Sequence, residues 1–161
     1  MLMVLDDIFS VSTGIFDILF KFPTFNFICP GCNLNDGWKM FNSHCYKFFQ
    51  TQKTWSDAKT YCSNLGAYLV TTHSQAERDF ALSVMPADGA NFWIGGNDMA
   101  TDGVWVWEDG KPWGAYTAWN SGEPNGGNNE QCIVMFGHSS QNVGRWNDAP
   151  CGHLKPFMCK K

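Results

Sequence analysis

The order of apolar and polar positions changes along the chain, and each pattern predicts a different kind of secondary structure. Residues 37–50 place aromatic side chains on both sides of Asn42-Ser43-His44, which predicts a β-hairpin. Thr54 and Ser74 each stand three residues before an acid and an apolar helical repeat, which predicts two capped helices. Short apolar runs predict strands at 68–70, 92–95, 104–107, 132–136, 144–146 and 155–159.

Each predicted helix has one apolar face and a residue that ends it. Gly66 ends the first helix and Pro86 stops the second. The predicted core face of the first helix consists of Ala58, Tyr61, Cys62 and Leu65. That of the second consists of Ala76, Phe80, Ala81 and Val84.

A segment without periodicity follows the turn at 108–110. It runs for roughly 20 residues, and a loop of that length in a compact domain is usually functional or disordered. Three carboxylates and two carboxamides lie in this loop or soon after it, and such oxygens suit calcium. They belong to Glu123, Asn125, Glu130, Asn147 and Asp148. The nitrogen and sulfur ligands that zinc prefers are missing from this segment.

Length and charge narrow the class of protein. The chain has 161 residues, 44% of them hydrophobic and 16% aromatic, which suits one domain with a sizeable core. The formal net charge is -4, and Lys and Arg form no dense run beyond Lys160-Lys161. This composition argues against a nucleic-acid partner and against an anionic membrane surface.

Residues 1–28 are expected to form a separate N-terminal segment. Asp6, Asp7, Asp17 and Lys21 interrupt its apolar residues, so we expect no membrane span. The segment also lacks the basic start and small-residue end of a clean secretory signal. An atypical signal, an amphipathic pre-segment that contains a short helix, and a misassigned start remain open.

Seven cysteines in a chain of this size favour an extracytoplasmic, secreted protein. Cys29-Pro30-Gly31-Cys32 also raises the alternatives of a redox pair, or of half a zinc knuckle completed by His44 and Cys45. Both are disfavoured, because the flanking residues predict a loop rather than the helix N-terminus that activates a redox thiol.

Together, these motifs make the chain resemble the C-type lectin-like domain over about residues 32–160. The motifs that carry the resemblance are Cys45-Tyr46, residues 55–62, Trp93-Ile94-Gly95, Trp105-Val106-Trp107, and residues 122–125, 130–132, 146–148 and 156–159. The resemblance implies an α+β fold in which two helices accompany two small antiparallel sheets and a long calcium-binding loop region. The domain would occupy residues 29–161.

The resemblance also implies a disulfide framework. Cys62 would pair with Cys159, and Cys132 with Cys151. Cys45 would pair with Cys32 or, because the family's usual Cys-Pro dipeptide matches Cys29-Pro30, with Cys29. If Cys29 is left over, it is a candidate to link two chains as a homodimer or to stay free.

The triplet Glu123-Pro124-Asn125 carries the functional part of the resemblance. In the family, Glu-Pro-Asn accompanies mannose, fucose, N-acetylglucosamine and glucose, whereas Gln-Pro-Asp accompanies galactose. The implied function is calcium-dependent binding of glycans that bear mannose-type sugars. Glu123, Asn125, Glu130 and Asn147 would contact both metal and sugar, and Asp148 the metal alone. A cis bond before Pro124 is also implied.

An auxiliary calcium site of some family members matches Asp98 and Asp102. Gly126 and Gln131 stand where further carboxylates would help, so we expect weak auxiliary binding at most. The alternative is that both aspartates are solvated loop acids.

An enzymatic function is not predicted. The four histidines share no ligand spacing, and neither a Gly-x-Ser-x-Gly elbow nor a phosphate loop is present. Glu123 and Glu130 could suggest a glycosidase pair, but that role needs an enclosed acid, and both serve better as metal ligands. The alternative function is a member of the same fold that recognises a protein, ice or mineral surface, with calcium structural or dispensable.

Overall fold

The computed structural model describes residues 32–161, so the predictions for residues 1–28 and for Cys29 fall outside the described residues. The helices are Trp55–Asn64 (α1) and Gln75–Val84 (α2). The strands are Lys39–Phe41 (β1), His44–Lys53 (β2), Tyr68–Leu69 (β3), Phe92–Asn97 (β4), Val106–Trp107 (β5), Cys132–Met135 (β6), Trp146–Ala149 (β7) and Lys155–Lys160 (β8). None of the helices within 32–161 is both long and apolar enough to cross a membrane.

The helix starts are confirmed, whereas part of each predicted core face is wrong. The side chains of Thr54 and Ser74 accept the backbone N–H of the residue three positions on, both at 3.2 Å. Tyr61 and Leu65 are 37% and 39% exposed, and Ala76 is also exposed. Tyr61 instead packs at the margin of the sheet, with its ring edge-on to two phenylalanine rings, Phe49 and Phe157.

The strands form one mixed sheet in the order β1-β2-β8-β4-β6-β7, with β3 on β8 and β5 on β4. The pairing is antiparallel except between β4 and β8, where Trp93 lies opposite Phe157. The family resemblance implied two small antiparallel sheets, and this parallel pair joins them into one. The α+β fold class is confirmed.

Three disulfides join the elements within the described range. The pairs are Cys32–Cys45, Cys62–Cys159 and Cys132–Cys151. The second ties α1 to β8, and the third ties the start of β6 to the residues that follow β7. A buried cluster lies on each face of the sheet, and the largest fully buried side chains include Trp93 and Trp146.

Candidate metal and ligand site

The long loop between β5 and β6 is anchored on β7. The Trp146 N–H donates to the Ala118 carbonyl, and the Asn120 N–H donates to the Trp146 carbonyl, each at 2.8 Å. The rings of Trp113 and Trp119 lie 5.9 and 5.8 Å from the ring of Trp146. Aromatic packing therefore fixes this loop, which has little regular secondary structure. It also holds the following segment of the chain next to β7.

The Glu-Pro-Asn triplet lies against the carboxylate of Asp148, which is 1% exposed. The Asn125 N–H donates to both Asp148 oxygens, at 3.1 and 3.0 Å, and the Gly126 N–H donates to Oδ2 at 2.7 Å. The peptide bond between Glu123 and Pro124 is cis, as expected. Asp148 on β7 thus sets the position of the loop backbone that carries the triplet.

The pKa of Glu123 lies above that of an ordinary glutamate. Burial raises its pKa, and the adjacent Asp148 carboxyl and the charge of Glu130 raise it further, to about 7. Its buried Oε2 has no hydrogen-bond partner within residues 32–161. The adjacent carboxylates of Glu123 and Asp148 and the unpaired buried oxygen suit a hard divalent cation, which would relieve the repulsion and take up the free oxygen.

The remaining predicted ligands are Glu130 and Asn147. Glu130 follows a short 3-10 turn at Gly127–Asn129, and its side chain lies over Gly126. Asn147 precedes Asp148 on β7, and its carboxamide donates to the backbone carbonyl of Asp148. Across residues 32–161, no three His, Cys, Asp or Glu side chains stand close enough together to hold a metal ion. The predicted set also uses the carboxamide oxygens of two asparagines.

Gly126 is essential to the placement of Glu130. A Cβ at position 126 would lie 2.2 Å from the Glu130 Cβ, so Gly126→Ala must displace that acid. If the predicted ligands hold calcium, the substitution should weaken calcium binding about 10- to 100-fold, as loss of support for a metal ligand does. Calorimetric titration with calcium measures the effect.

Gly152→Ala is the matched control for this prediction. A Cβ at Gly152 meets no atom within 4 Å, so this variant should keep the parent affinity. Equal affinity of the two variants would contradict the role given to Glu130.

A cavity of about 210 Å³ lies beside the triplet. Asp98 is 2% exposed, so it is not a solvated loop acid. Its Oδ2 accepts the Gly103 N–H at 2.8 Å, and its Oδ1 has no partner within the described range. Asp102 is exposed. The residues that line the cavity are Asp98, Asp102, Gly103, Trp105, Pro124, Asn125, Gly127 and Asp148.

Sequence reasoning missed three contributors to this cavity. The sequence placed Trp105 only in a predicted strand, yet this side chain is half-buried and lines the cavity. Gly103 and Gly127 line it too. The paired glycines Gly126-Gly127 between two site acids were the available signal, since neighbouring glycines often mark a close approach of the backbone.

Comparison with known proteins places this geometry in a family. The family described as Lectin C-type domain matches residues 51–161, which is most of the chain. The chain belongs to the C-type lectin family. Members of this family are carbohydrate-binding proteins or receptors, and they are not enzymes. This C-type lectin is likewise not an enzyme.

Three relatives indicate the range of the C-type lectin family. The chain is 40% identical to the low affinity immunoglobulin epsilon Fc receptor of Mus musculus over 83% of its own length, and 40% identical to ladderlectin of Oncorhynchus mykiss over 74%. It spans only 37% and 63% of those two proteins. It is 37% identical to the C-type lectin mannose-binding isoform of Oxyuranus scutellatus, covering 80% of this chain and 84% of the relative.

Solved structures of antifreeze proteins and of a carbohydrate-recognition domain have the same fold. Herring type II antifreeze protein matches with a TM-score of 0.72 and 36% identity, covering 78% of this chain and 95% of that protein. The cow CD23 carbohydrate-recognition domain, determined in the presence of a GlcNAc2Man3 oligosaccharide, matches with a TM-score of 0.69 and 35% identity, covering 78% and 93%. A calcium-independent type II antifreeze protein matches with a TM-score of 0.70 and 29% identity, covering 78% and 91%.

Proposed function

We propose that this C-type lectin binds carbohydrate in a calcium-dependent manner and prefers mannose-type sugars. The observation that carries the proposal is the position of the Glu123-Pro124-Asn125 triplet against the buried Asp148 carboxylate. The unpaired Oε2 of Glu123 supports a cation at this place. The similarity to a mannose-binding C-type lectin and to a domain studied with a mannose-containing oligosaccharide supports the sugar class.

In the proposed ligand set, acids and amides have different roles toward the sugar. Calcium, when bound, supplies coordination positions for two adjacent sugar hydroxyls. Each hydroxyl has one proton to donate and two lone pairs to share. Glu123 and Glu130 would accept the hydroxyl protons, and Asn125 and Asn147 would donate amide hydrogens to the lone pairs. Asp148 would hold the cation without needing to touch the sugar, and its oxygens also accept two backbone N–H groups.

The disulfides and the single proposed sugar site bear on where the protein acts and on how many sites it needs. Three disulfides are typical of an extracytoplasmic protein, and we propose that this lectin is secreted. A shallow site that grips two hydroxyls binds one sugar weakly, so useful avidity needs several sites. A domain at 29–161 with Cys29 linking two chains would provide them. Glycans with repeated mannose-type ends are the proposed partners.

Affinity chromatography tests the function. In calcium, the parent protein should be retained on mannose-agarose more than on galactose-agarose, and a chelator should elute it. Asp148→Asn keeps the shape of this ligand but removes its negative charge, and it should abolish retention. Retention of the parent in excess chelator, or equal retention on both resins, would contradict the proposal.

Acid is expected to release the sugar by releasing calcium. The pKa of Glu123 without calcium is raised to about 7, so calcium must displace a proton from it below that pH. Calcium affinity, and with it retention on mannose-agarose, should therefore fall as the pH falls through about 7 toward 5. A pH series of calcium titrations checks this prediction. A calcium affinity that does not change across that pH range would contradict it.

A second candidate is recognition of a protein, ice or mineral surface by the same face. Met99, Val104 and Val106 are 42%, 57% and 44% exposed. Their chain neighbours Asp98, Gly103 and Trp105 line the cavity. Exposed apolar side chains suit a partner surface more than a sugar. Similarity to antifreeze proteins, one of them calcium-independent, supports this alternative. The chromatographic test separates it from the first, because surface binding predicts no retention on either sugar resin.

A further inference from the structure

We propose that Asn125 modifies itself: the Gly126 backbone nitrogen attacks the Asn125 carboxamide and converts residue 125 to an acid, which switches off sugar binding. The modification stands on local chemistry alone, while its effect on sugar rests on the proposed function above.

Asn125-Gly126 is the single Asn-Gly dipeptide in the sequence. Asn125 is exposed. Within residues 32–161 its backbone N–H forms hydrogen bonds but its carboxamide forms none, so the carboxamide is free to rotate. Gly126 has no Cβ of its own beside its nitrogen, and Gly127 follows with a φ of 50°, which glycine adopts without strain.

The chemistry needs only water as a further reactant. The Gly126 nitrogen forms a bond to Cγ of Asn125, and the carboxamide nitrogen leaves as ammonia with the proton that the Gly126 nitrogen loses. The product is a cyclic imide. Water then adds to one of its two carbonyls and breaks one C–N bond. Residue 125 becomes either aspartate or isoaspartate, in which the main chain runs through the side-chain carbon.

Other asparagines provide internal comparisons. Asn42-Ser43 is an exposed turn, but the Ser43 side chain crowds the attacking nitrogen. Asn97 is 8% exposed and donates its amide to Glu108 at 3.2 Å. The amide of Asn147 donates to the backbone carbonyl of its neighbour. Conversion should therefore be fastest at Asn125, slower at Asn42, and slowest at the two bonded amides.

The state of the site controls the reaction. The Gly126 N–H donates to Asp148 Oδ2 at 2.7 Å, and this hydrogen bond must open before the nitrogen can attack. The proposed calcium ligand set includes the carboxamide oxygen of Asn125. A bound cation would hold that group still, so calcium should slow conversion.

The product has a defined chemical defect. An acid at position 125 keeps an oxygen for the cation but loses the N–H donor that the sugar hydroxyl needs. Leaving that hydroxyl unpaired should weaken mannose binding roughly tenfold or more. Calcium binding should persist in the aspartate form, because the number of oxygen ligands is unchanged.

The test is incubation of the oxidised protein in warm neutral buffer, with calcium or with chelator, followed by peptide mass spectrometry. The peptide that contains Asn125 should gain about one dalton several-fold faster than the peptide that contains Asn42, and faster in chelator. Asn125→Gln should prevent the gain, because glutamine must form a larger ring, and Asn42→Gln is the matched control. An unchanged mass at Asn125, while Asn42 converts, overturns the proposal.

The sugar effect is read separately. Asn125→Asp should bind calcium in a titration yet lose retention on mannose-agarose, and aged parent protein should lose retention in proportion to the converted fraction. Full retention of converted protein overturns the switch. If fresh parent protein binds no sugar at all, the proposed function fails, and the mass change still decides the modification.

Discussion

Glu77→Gln is expected to lower the free energy of unfolding by about 3 kcal/mol, because it leaves a buried ammonium without its counter-charge. The Lys160 side chain is 0% exposed, and its Nζ lies 2.7 Å from Glu77 Oε1. The Thr71 carbonyl, at 3.3 Å, is the other acceptor in reach within the described range. We take the lower end of the range for broken buried pairs, since Glu77 itself is 12% exposed.

The pKa directions agree with this account. Burial lowers the pKa of Lys160, and the Glu77 hydrogen bond and charge only partly offset it. Burial raises the pKa of Glu77, but hydrogen bonds from Lys160 and the His73 backbone, together with the charges of these two residues, lower it more, so the net pKa lies below the ordinary value. Each charge is thus retained in the interior because of the other.

Denaturant unfolding with the disulfides intact measures the loss. Asp79→Asn on the same helix is the matched control, because Asp79 is 51% exposed in its pair with Arg78 and should cost less than about 1 kcal/mol. Adding Lys160→Met to Glu77→Gln should recover most of the stability, since an apolar side chain needs no counter-charge. Equal losses for Glu77→Gln and Asp79→Asn would show that the buried pair does not stabilise the fold.

This pair also shows what local sequence could not predict. The pattern around Ser74 predicted Glu77 as the acid of a capping box, and Ser74 does accept the Glu77 N–H. The Glu77 carboxylate, however, accepts the N–H of His73, one residue before the cap, at 2.6 Å. Its other oxygen binds Lys160, which is 83 residues away in sequence. A contact over that distance depends on where the fold places β8 relative to α2, which helical periodicity does not report.

The ends of the strands were also not predictable from local sequence. The sequence predicted a strand ending at Trp146, whereas β7 begins there and continues to Ala149. The extension follows from pairing, because Ile133 on β6 lies opposite Asp148 and Cys132 opposite Ala149. Local propensity is weak in strands, and the partner strand decides their length. This pairing gives Asp148 a buried position beside the loop.

The residues of the candidate site were identified from composition and family resemblance, but their arrangement was not. Nothing in the spacing between Asn125 and Asp148 indicated that the backbone of one donates to the carboxylate of the other. The reason for Gly126 was also missed, because only the fold shows that the Glu130 side chain occupies the place of its missing Cβ. The assignment of metal and sugar ligands remains a prediction for mutagenesis.

The double substitution Glu123→Gln/Asn125→Asp is expected to change sugar preference from mannose to galactose. The exchange keeps the size of both side chains and their summed charge, but it moves the proton acceptor from position 123 to position 125. A hydroxyl that donated to Glu123 would then meet an amide donor, and its neighbour would meet an acid. The site should therefore suit a pair of hydroxyls with the opposite arrangement.

The expected loss of mannose affinity is roughly tenfold or more, because each mismatched hydroxyl leaves a polar group unpaired. Calcium titration together with a glycan panel measures both ligands at once. Calcium binding should persist, since the substituted pair still offers two oxygen ligands. A loss of both ligands would indicate collapse of the site and not a change of preference.

Asp79→Asn/Asn142→Asp is the matched control, because it makes the same acid-for-amide exchange at two exposed positions outside the site. It should leave both calcium affinity and glycan preference unchanged. If the double substitution at 123 and 125 binds calcium and still prefers mannose, the triplet does not set specificity. Specificity would then have to come from elsewhere in the loop, and the half-buried Trp105 in the cavity wall would be the next side chain to replace.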